Sequence, residues 1–147
     1  SEEDPFFDSS LVNQAACLRI KTREGLYIKL VTIYRSPNSN DHNNSALNDM
    51  MSRADAHTVY VGDFNYGNID WERRVASDPH SRLFLDVCDD HFIAQHVNFA
   101  TRKDRMLDLV LSVDPELVQD VTCAGKLGTS DHDAINLLHS LRSRPNN

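Results

Sequence analysis

The sequence predicts an α/β domain with mainly antiparallel strands and two helices on one face. Three observations predict it. Short apolar runs recur between clusters of Gly, Pro, Asn and Asp, as strands between turns do. Two stretches, residues 45–56 and the one opening at Asp78-Pro79, instead space their apolar residues three and four apart, as one face of a helix requires. Strand candidates outnumber helices by about seven to two, too many for a simple alternating parallel sheet.

The elements follow in order. Residues 1–14 read as an acidic leader of little order. ACLRIK (16–21) and LYIKLVTIYR (26–35) read as strands, joined by a short turn at Gly25 into an antiparallel hairpin. In the second strand Leu26, Ile28 and Leu30 take one face, and Tyr27, Val31 and Ile33 the other. SPNSNDHNN (36–44) is a polar loop. The helix after it carries Leu47, Met50, Met51 and Ala54, with Ser45 as its expected cap. HTVYVGDFN (57–65) is the next strand, and 66–78 a loop. Asp78 then stands where an N-cap belongs and Pro79 at the first helical position. Leu83, Val87 and Phe92 are expected to face the core from this helix, with Phe84 and Cys88 beside them. FIAQHV (92–97), MLDLVLS (106–112), LVQDVTC (117–123) and AINLLHS (134–140) complete the strands, and 141–147 is a basic tail. A sheet covered by helices on one face would leave its other face apolar and in need of a partner.

Composition narrows the function classes. The chain has 147 residues, 40% hydrophobic and 25% charged, the profile of one globular domain. No apolar run approaches the ~18 residues of a membrane span, and no basic-then-apolar leader is present, so no membrane partner is expected. The chain opens on Ser1 rather than Met, as a processed chain or a fragment does. Three widely spaced cysteines, Cys17, Cys88 and Cys123, argue for a reducing, intracellular compartment and against both a disulfide framework and a Cys-rich zinc site. The net charge of -7 gives no overall basic footprint for nucleic acid. Two local clusters do, TRKDR (101–105) and LRSRP (141–145).

Four polar pieces interrupt this pattern: Tyr34-Arg35 at a strand end, Asp63 and Asn65 in VGDFN, Asp108 inside the apolar run RMLDLVL, and Ser130-Asp131-His132 at the entry to the last strand. Singly, each has an ordinary reading as a strand end, turn or solvated residue. Residues i and i+2 of an extended segment project to one side, which would aim Asp63 and Asn65 at one spot. A carboxylate in a buried run is costly unless it is paired or hydrogen-bonded. An Asp beside a His fixes the imidazole's tautomer, and another Asp can hold a hard divalent ion. Together these are parts that phosphodiester hydrolysis uses.

The motifs Tyr-Arg-Ser-Pro-Asn-Ser, Val-Gly-Asp-Phe-Asn-Tyr followed by Ile-Asp-Trp, Leu-Asp-Leu-Val-Leu-Ser and Ser-Asp-His-Asp-Ala-Ile stand in that order across about residues 15–140. In this the chain resembles the endonuclease/exonuclease/phosphatase superfamily. More narrowly, it resembles the apurinic-type endonuclease domain of non-LTR retrotransposons. The resemblance implies a four-layer α/β sandwich, of which this chain would be the carboxy-terminal part. It implies that Asp63 orients or deprotonates the attacking water, that Asn65 holds a phosphate oxygen and that Tyr34 contacts the scissile phosphate. His132 would act at that phosphate with Asp108 as its carboxylate partner, and Asp131 would contribute to a Mg²⁺ site that Mn²⁺ could also fill. Arg35, Arg102, Lys103 and Arg105 would meet DNA, and the place of action would be the nucleus.

One departure stands out. The family's early Asn and its metal-binding Glu have no counterpart in residues 1–14. The expectation is therefore a Mg²⁺-dependent DNA endonuclease lacking its amino-terminal half. Its partner would be a second copy, or a chain supplying that half, seated on a bare apolar face. The competing reading is a retroelement-derived binding or oligomerisation module of weak or no activity. A third is a phosphatase of the same superfamily acting on a smaller phosphoester.

Overall fold

The structure is a computed structural model that describes residues 15–21, 25–97 and 108–118. β1 (Ala15–Lys21) and β2 (Tyr27–Tyr34) form the expected hairpin, antiparallel from Ala15↔Ile33 to Lys21↔Tyr27. Gly25, at φ +86, supplies the left-handed turn residue that most side chains disfavour. Helix α1 (Asp41–Ser52) then crosses back so that β3 (Thr58–Asp63) pairs parallel to β2. A two-residue hairpin, β4 (Ile69–Asp70) with β5 (Val75–Ala76), interrupts what the sequence suggested was plain loop. Helix α2 (Pro79–Asp90), β6 (Ala94–Gln95) and β7 (Asp108–Ser112) follow, and a 3-10 turn (Pro115–Leu117) ends the described chain. Among the described residues the main sheet has the order β1-β2-β3-β7-β6, with β2–β3 its parallel pair. The fold is thus mixed α/β and mainly antiparallel, as expected. The strand expected at 117–123 is described only to Val118, and the one at 134–140 lies outside the described residues, as do the leader and the basic tail.

The helices show where local chemistry was misread. α1 starts at Asp41, five residues before the start implied by a Ser45 cap. The Asn40 side chain accepts from the Asn43 N–H at 2.9 Å, and Asp41 adds negative charge to the positive end of the helix dipole. The polar run 38–44 therefore contains its own start signal. α2 begins as expected: the Asp78 carboxylate accepts from the Ser81 N–H at 3.0 Å, the Ser81 hydroxyl at 2.7 Å and the Asn68 amide at 3.0 Å. These bonds, led by the Ser81 N–H, hold its pKa down at about 2. The face of α2 is corrected, however. Ser81, Phe84, Leu85 and Cys88 are buried, while Leu83 is 57% and Phe92 84% exposed. The sequence offers two overlapping apolar rows one residue apart. The buried row is the one that sets Phe84 among Phe64, Tyr66 and Trp71, with ring centroids 5.6, 4.6 and 6.4 Å away.

Strand alternation divides the core in two. Val31, Ile33, Tyr60, Leu109 and Leu111 face both helices, packing with Leu47, Met51, Phe84 and Cys88. Ile28, Leu30, Val59, Val61 and Val110 face the other way with Val97, Leu117 and Val118. That second face was expected to be bare. Its five strand residues are at most 2% exposed, so it is covered within the single chain. The argument for self-association through it is removed.

Candidate active site

Three strands bring three polar side chains into one row. In the parallel β2–β3 ladder Tyr34 stands opposite Asp63, and in the antiparallel β3–β7 ladder Asp63 stands opposite Asp108. Residues in register on neighbouring strands point to the same face. The row therefore shares its face with Val61 and Val110, away from the helices, at the carboxyl ends of β2 and β3. Asp63 is 5% exposed and Asp108 fully buried, while Tyr34, at 41%, reaches solvent. The row thus opens at Tyr34 and deepens towards Asp108.

Two carboxylates directly opposite one another have Cβ atoms about 5 Å apart and repel when both are ionised. Such a pair favours a cation, a shared proton or converging donors beside it. Its oxygens are the hard donors that Mg²⁺ takes. Among the described residues no group of three His, Cys, Asp or Glu side chains comes together. Asp63 and Asp108 alone are two oxygen donors, and a metal held there would need further ligands from elsewhere.

Backbone packing sets the register of the row. Gly62, one residue before Asp63, has φ +145, and a Cβ there would lie 1.9 Å from the carbonyl oxygen of Ile33. Only glycine lets β3 approach β2 closely enough to place Asp63 beside Tyr34. The Arg35 N–H then donates to the Asp63 carbonyl at 2.7 Å.

Two expected site residues are placed differently. Asn65 lies past the end of β3 in the left-handed region, at φ 52, so the alternation argument that paired its direction with Asp63 does not apply. Its N–H donates to Asp63 Oδ1 at 3.1 Å, and its side-chain amide donates to the Arg35 carbonyl. It clamps the turn after the strand. Arg35, expected to meet DNA, faces the protein instead. Its Nε donates to Asn44 Oδ1 at 2.9 Å, and its Nη1 to the carbonyls of Phe64 and Asn65, both at 3.1 Å. Its guanidinium lies over the Tyr66 ring, 3.8 Å from the centroid. Burial raises the pKa of Tyr66, with Arg35 pulling against it. Arg35 is therefore a brace that holds the 63–66 turn in shape. Nothing in the spacing of the sequence marked Asn44 or Tyr66 as its partners, because they meet only through the fold. His132, Asp131, Arg102, Lys103 and Arg105 lie outside the described residues.

Comparison with known proteins agrees with this architecture. The endonuclease domain of TRAS1, a telomere-specific non-LTR retrotransposon, superposes with a TM-score of 0.58 at 16% identity, over 81% of this chain and 58% of that one. At that identity the match speaks for the fold, and the chain spans less than two thirds of the solved domain. No curated protein matches the sequence. The model of the endonuclease-reverse transcriptase family matches residues 28–136, from the start of β2 to beyond the Ser-Asp-His motif. A match across well over half of the sequence settles the family: this chain belongs to the endonuclease-reverse transcriptase family.

Proposed function

We propose that the chain is the carboxy-terminal part of a retrotransposon-type endonuclease domain that nicks DNA by metal-assisted phosphodiester hydrolysis. The observation that carries this reading is the in-register row Tyr34–Asp63–Asp108 at one end of the sheet. In it a hydroxyl at the mouth leads to two buried carboxylates, in a chain of this family. Tyr34 would hydrogen-bond the scissile phosphate. Asp63 would orient the attacking water and accept its proton. Asn65 would bring its amide to a phosphate oxygen from the turn that Arg35 braces. Asp108 would hold the His132 imidazole in one tautomer for work at the same phosphate. Asp131 would join the carboxylates in holding Mg²⁺ or Mn²⁺, which offsets negative charge as it develops on the phosphate. Arg102, Lys103 and Arg105 would lie along the DNA backbone. A DNA substrate of this kind would put its place of action in the nucleus.

DNA is the partner that this function requires. Burial of the second sheet face takes away the observation that had favoured a partner chain or second copy seated on it. A second copy, or a chain carrying an amino-terminal half, is needed only if this chain is inert alone. The test is nicking of supercoiled plasmid with Mg²⁺, with Mn²⁺ and with EDTA. Nicking with either ion and none with EDTA supports the reading. Equal nicking in EDTA overturns metal assistance, and no nicking under any condition overturns the chain's activity by itself.

A further inference from the structure

The hairpin of β1 and β2 carries a charged patch that the reaction proposed above does not use. Residues 19–29, RIKTREGLYIK, hold the cations Arg19, Lys21, Arg23 and Lys29 against the single anion Glu24, in a chain whose net charge is -7. Arg19 and Lys21 stand two apart, so they form no run of charge in the sequence. Strand alternation nevertheless puts both on one face of β1. The register seats them against the same face of β2, with Arg19 opposite Lys29 and Lys21 opposite Tyr27. Further along β2 that face carries Val31 and Ile33 into the helix-side core. At the hairpin end it is open: Arg19 and Lys21 are exposed, and Tyr27 is 52% exposed. Among the described residues β1 is an edge strand, so the patch lies at the margin of the sheet.

The Tyr27 ring is flanked by its cations but not closed by them. The Arg19 guanidinium carbon is 5.7 Å and the Lys21 ammonium 5.9 Å from the ring centroid. Those distances are within cation–π range but well outside stacking contact. Arg35 shows the contrast: at 3.8 Å it stacks on Tyr66, which is buried. Lys29 borders the patch, because its Nζ is held by Asp55 at 3.1 Å.

Charge complementarity names the occupant. Two cations beside an open aromatic ring suit a polyanion that also carries flat apolar groups. A single polynucleotide strand is one: its phosphates meet the cations, and an unpaired base stacks on the ring. A duplex keeps its base faces inside the stack and leaves the ring unused. A lipid surface would take apolar side chains beside the cations, and the exposed Leu18 falls on the opposite face of β1.

We propose that Arg19, Lys21 and Tyr27 form a binding platform for single-stranded DNA. The choice of DNA as the polynucleotide rests on the function proposed above. The platform is remote from the carboxylate row. Tyr27 and Tyr34 end opposite ends of β2, about 23 Å apart at a strand's rise per residue, and alternation turns them to opposite faces. It therefore grips a strand away from the bond being cut.

The experiment is fluorescence anisotropy of a labelled oligo(dT) of about 12 nucleotides with the full chain, in EDTA. Wild type is compared with Tyr27→Leu, Tyr27→Trp and the double variant Arg19→Gln/Lys21→Gln, each checked for an unchanged urea midpoint. Tyr27→Leu should weaken binding about tenfold, and Tyr27→Trp, which keeps a ring, should bind as tightly as wild type. The double variant should lower the slope of log affinity against log salt by about 1.4. A duplex of the same length should bind without dependence on Tyr27. No binding of oligo(dT), or wild-type affinity and salt slope in every variant, overturns the proposal. So does equal weakening by Leu and Trp, which removes the stacking role. Tighter binding of oligo(rU) through the same residues overturns the choice of DNA in favour of RNA. Phosphatidylserine vesicles bound through these residues while oligo(dT) is not would overturn it in favour of a membrane surface. Because EDTA is present throughout, an inert chain can still bind through the patch and a nicking chain can fail to, so the two proposals fail separately.

Discussion

Replacing Gly62 with Ala tests how the carboxylate row is built. The added Cβ would stand 1.9 Å from the Ile33 carbonyl oxygen and 2.8 Å from its carbon. Both are backbone atoms, so no side chain can swing aside. To restore ordinary contact, β2 and β3 must part by roughly 1.5 Å, which breaks ladder hydrogen bonds around Ile33↔Gly62, two of them at about 1 kcal/mol each. An alanine at φ +145 adds about 1–3 kcal/mol of backbone strain. The sum is about 3–5 kcal/mol, a large part of the 5–15 kcal/mol by which such domains are stable. With a urea m-value of about 2 kcal/mol/M, the unfolding midpoint should fall by about 2 M. Activity should be lost in the fraction that stays folded, because Tyr34 and Asp63 no longer share a register. Urea unfolding followed by circular dichroism, with nicking measured in parallel, reads both. An alanine variant with an unchanged midpoint and full activity would refute the close-approach reasoning.

Further expectations follow from the same structure. Asp78 has its carboxyl at about 2 against an ordinary 3.8, so its cap stabilises the fold above about pH 3.8 and is lost as pH falls through about 2. Asp78→Ala should cost about 1 kcal/mol at neutral pH, with the gap to wild type closing across that window in urea titrations. A gap that stays constant to pH 2 contradicts the capping account. Arg35→Lys keeps the charge but loses the fork that reaches three acceptors, so it should destabilise by about 2 kcal/mol. Its salt dependence of DNA binding should match wild type, whereas Arg102→Ala should flatten the slope by about one. The reverse pattern in binding titrations would return Arg35 to the DNA surface. Phe84→Ala empties the centre of the aromatic cluster and should cost about 3–5 kcal/mol by thermal or urea unfolding; less than 1 kcal/mol would contradict its central place.

Much of this was legible because the signals are local. The Gly25 hairpin, the Asp78-Pro79 helix start and the Asp63 strand end each depend on residues adjacent in sequence. Asp108 stood out because a carboxylate in an apolar run needs a reason. What the sequence concealed depends on contacts across the chain. Phe84 and Leu83 are equally apolar, and the choice between them was made by Phe64, Tyr66 and Trp71. Arg35 looked like a free cation until the fold brought Asn44 and the 64–65 carbonyls to it. Asn40 was hidden in a polar run where any of several residues could start a helix. The bare apolar face was inferred by counting strands and helices, and that count carried no information on what Val97, Leu117 and Val118 would cover.

The account's central claim is that Asp63 and Asp108 work as a single unit. The direct measurement is plasmid nicking by wild type, Asp63→Asn, Asp108→Asn and the double variant, each checked for native unfolding. Residues of one catalytic unit are strongly non-additive. Each single variant should therefore lose most of the activity, and the double should be no worse than the poorer single. Full nicking by either single variant, or losses that simply multiply in the double, would contradict the claim.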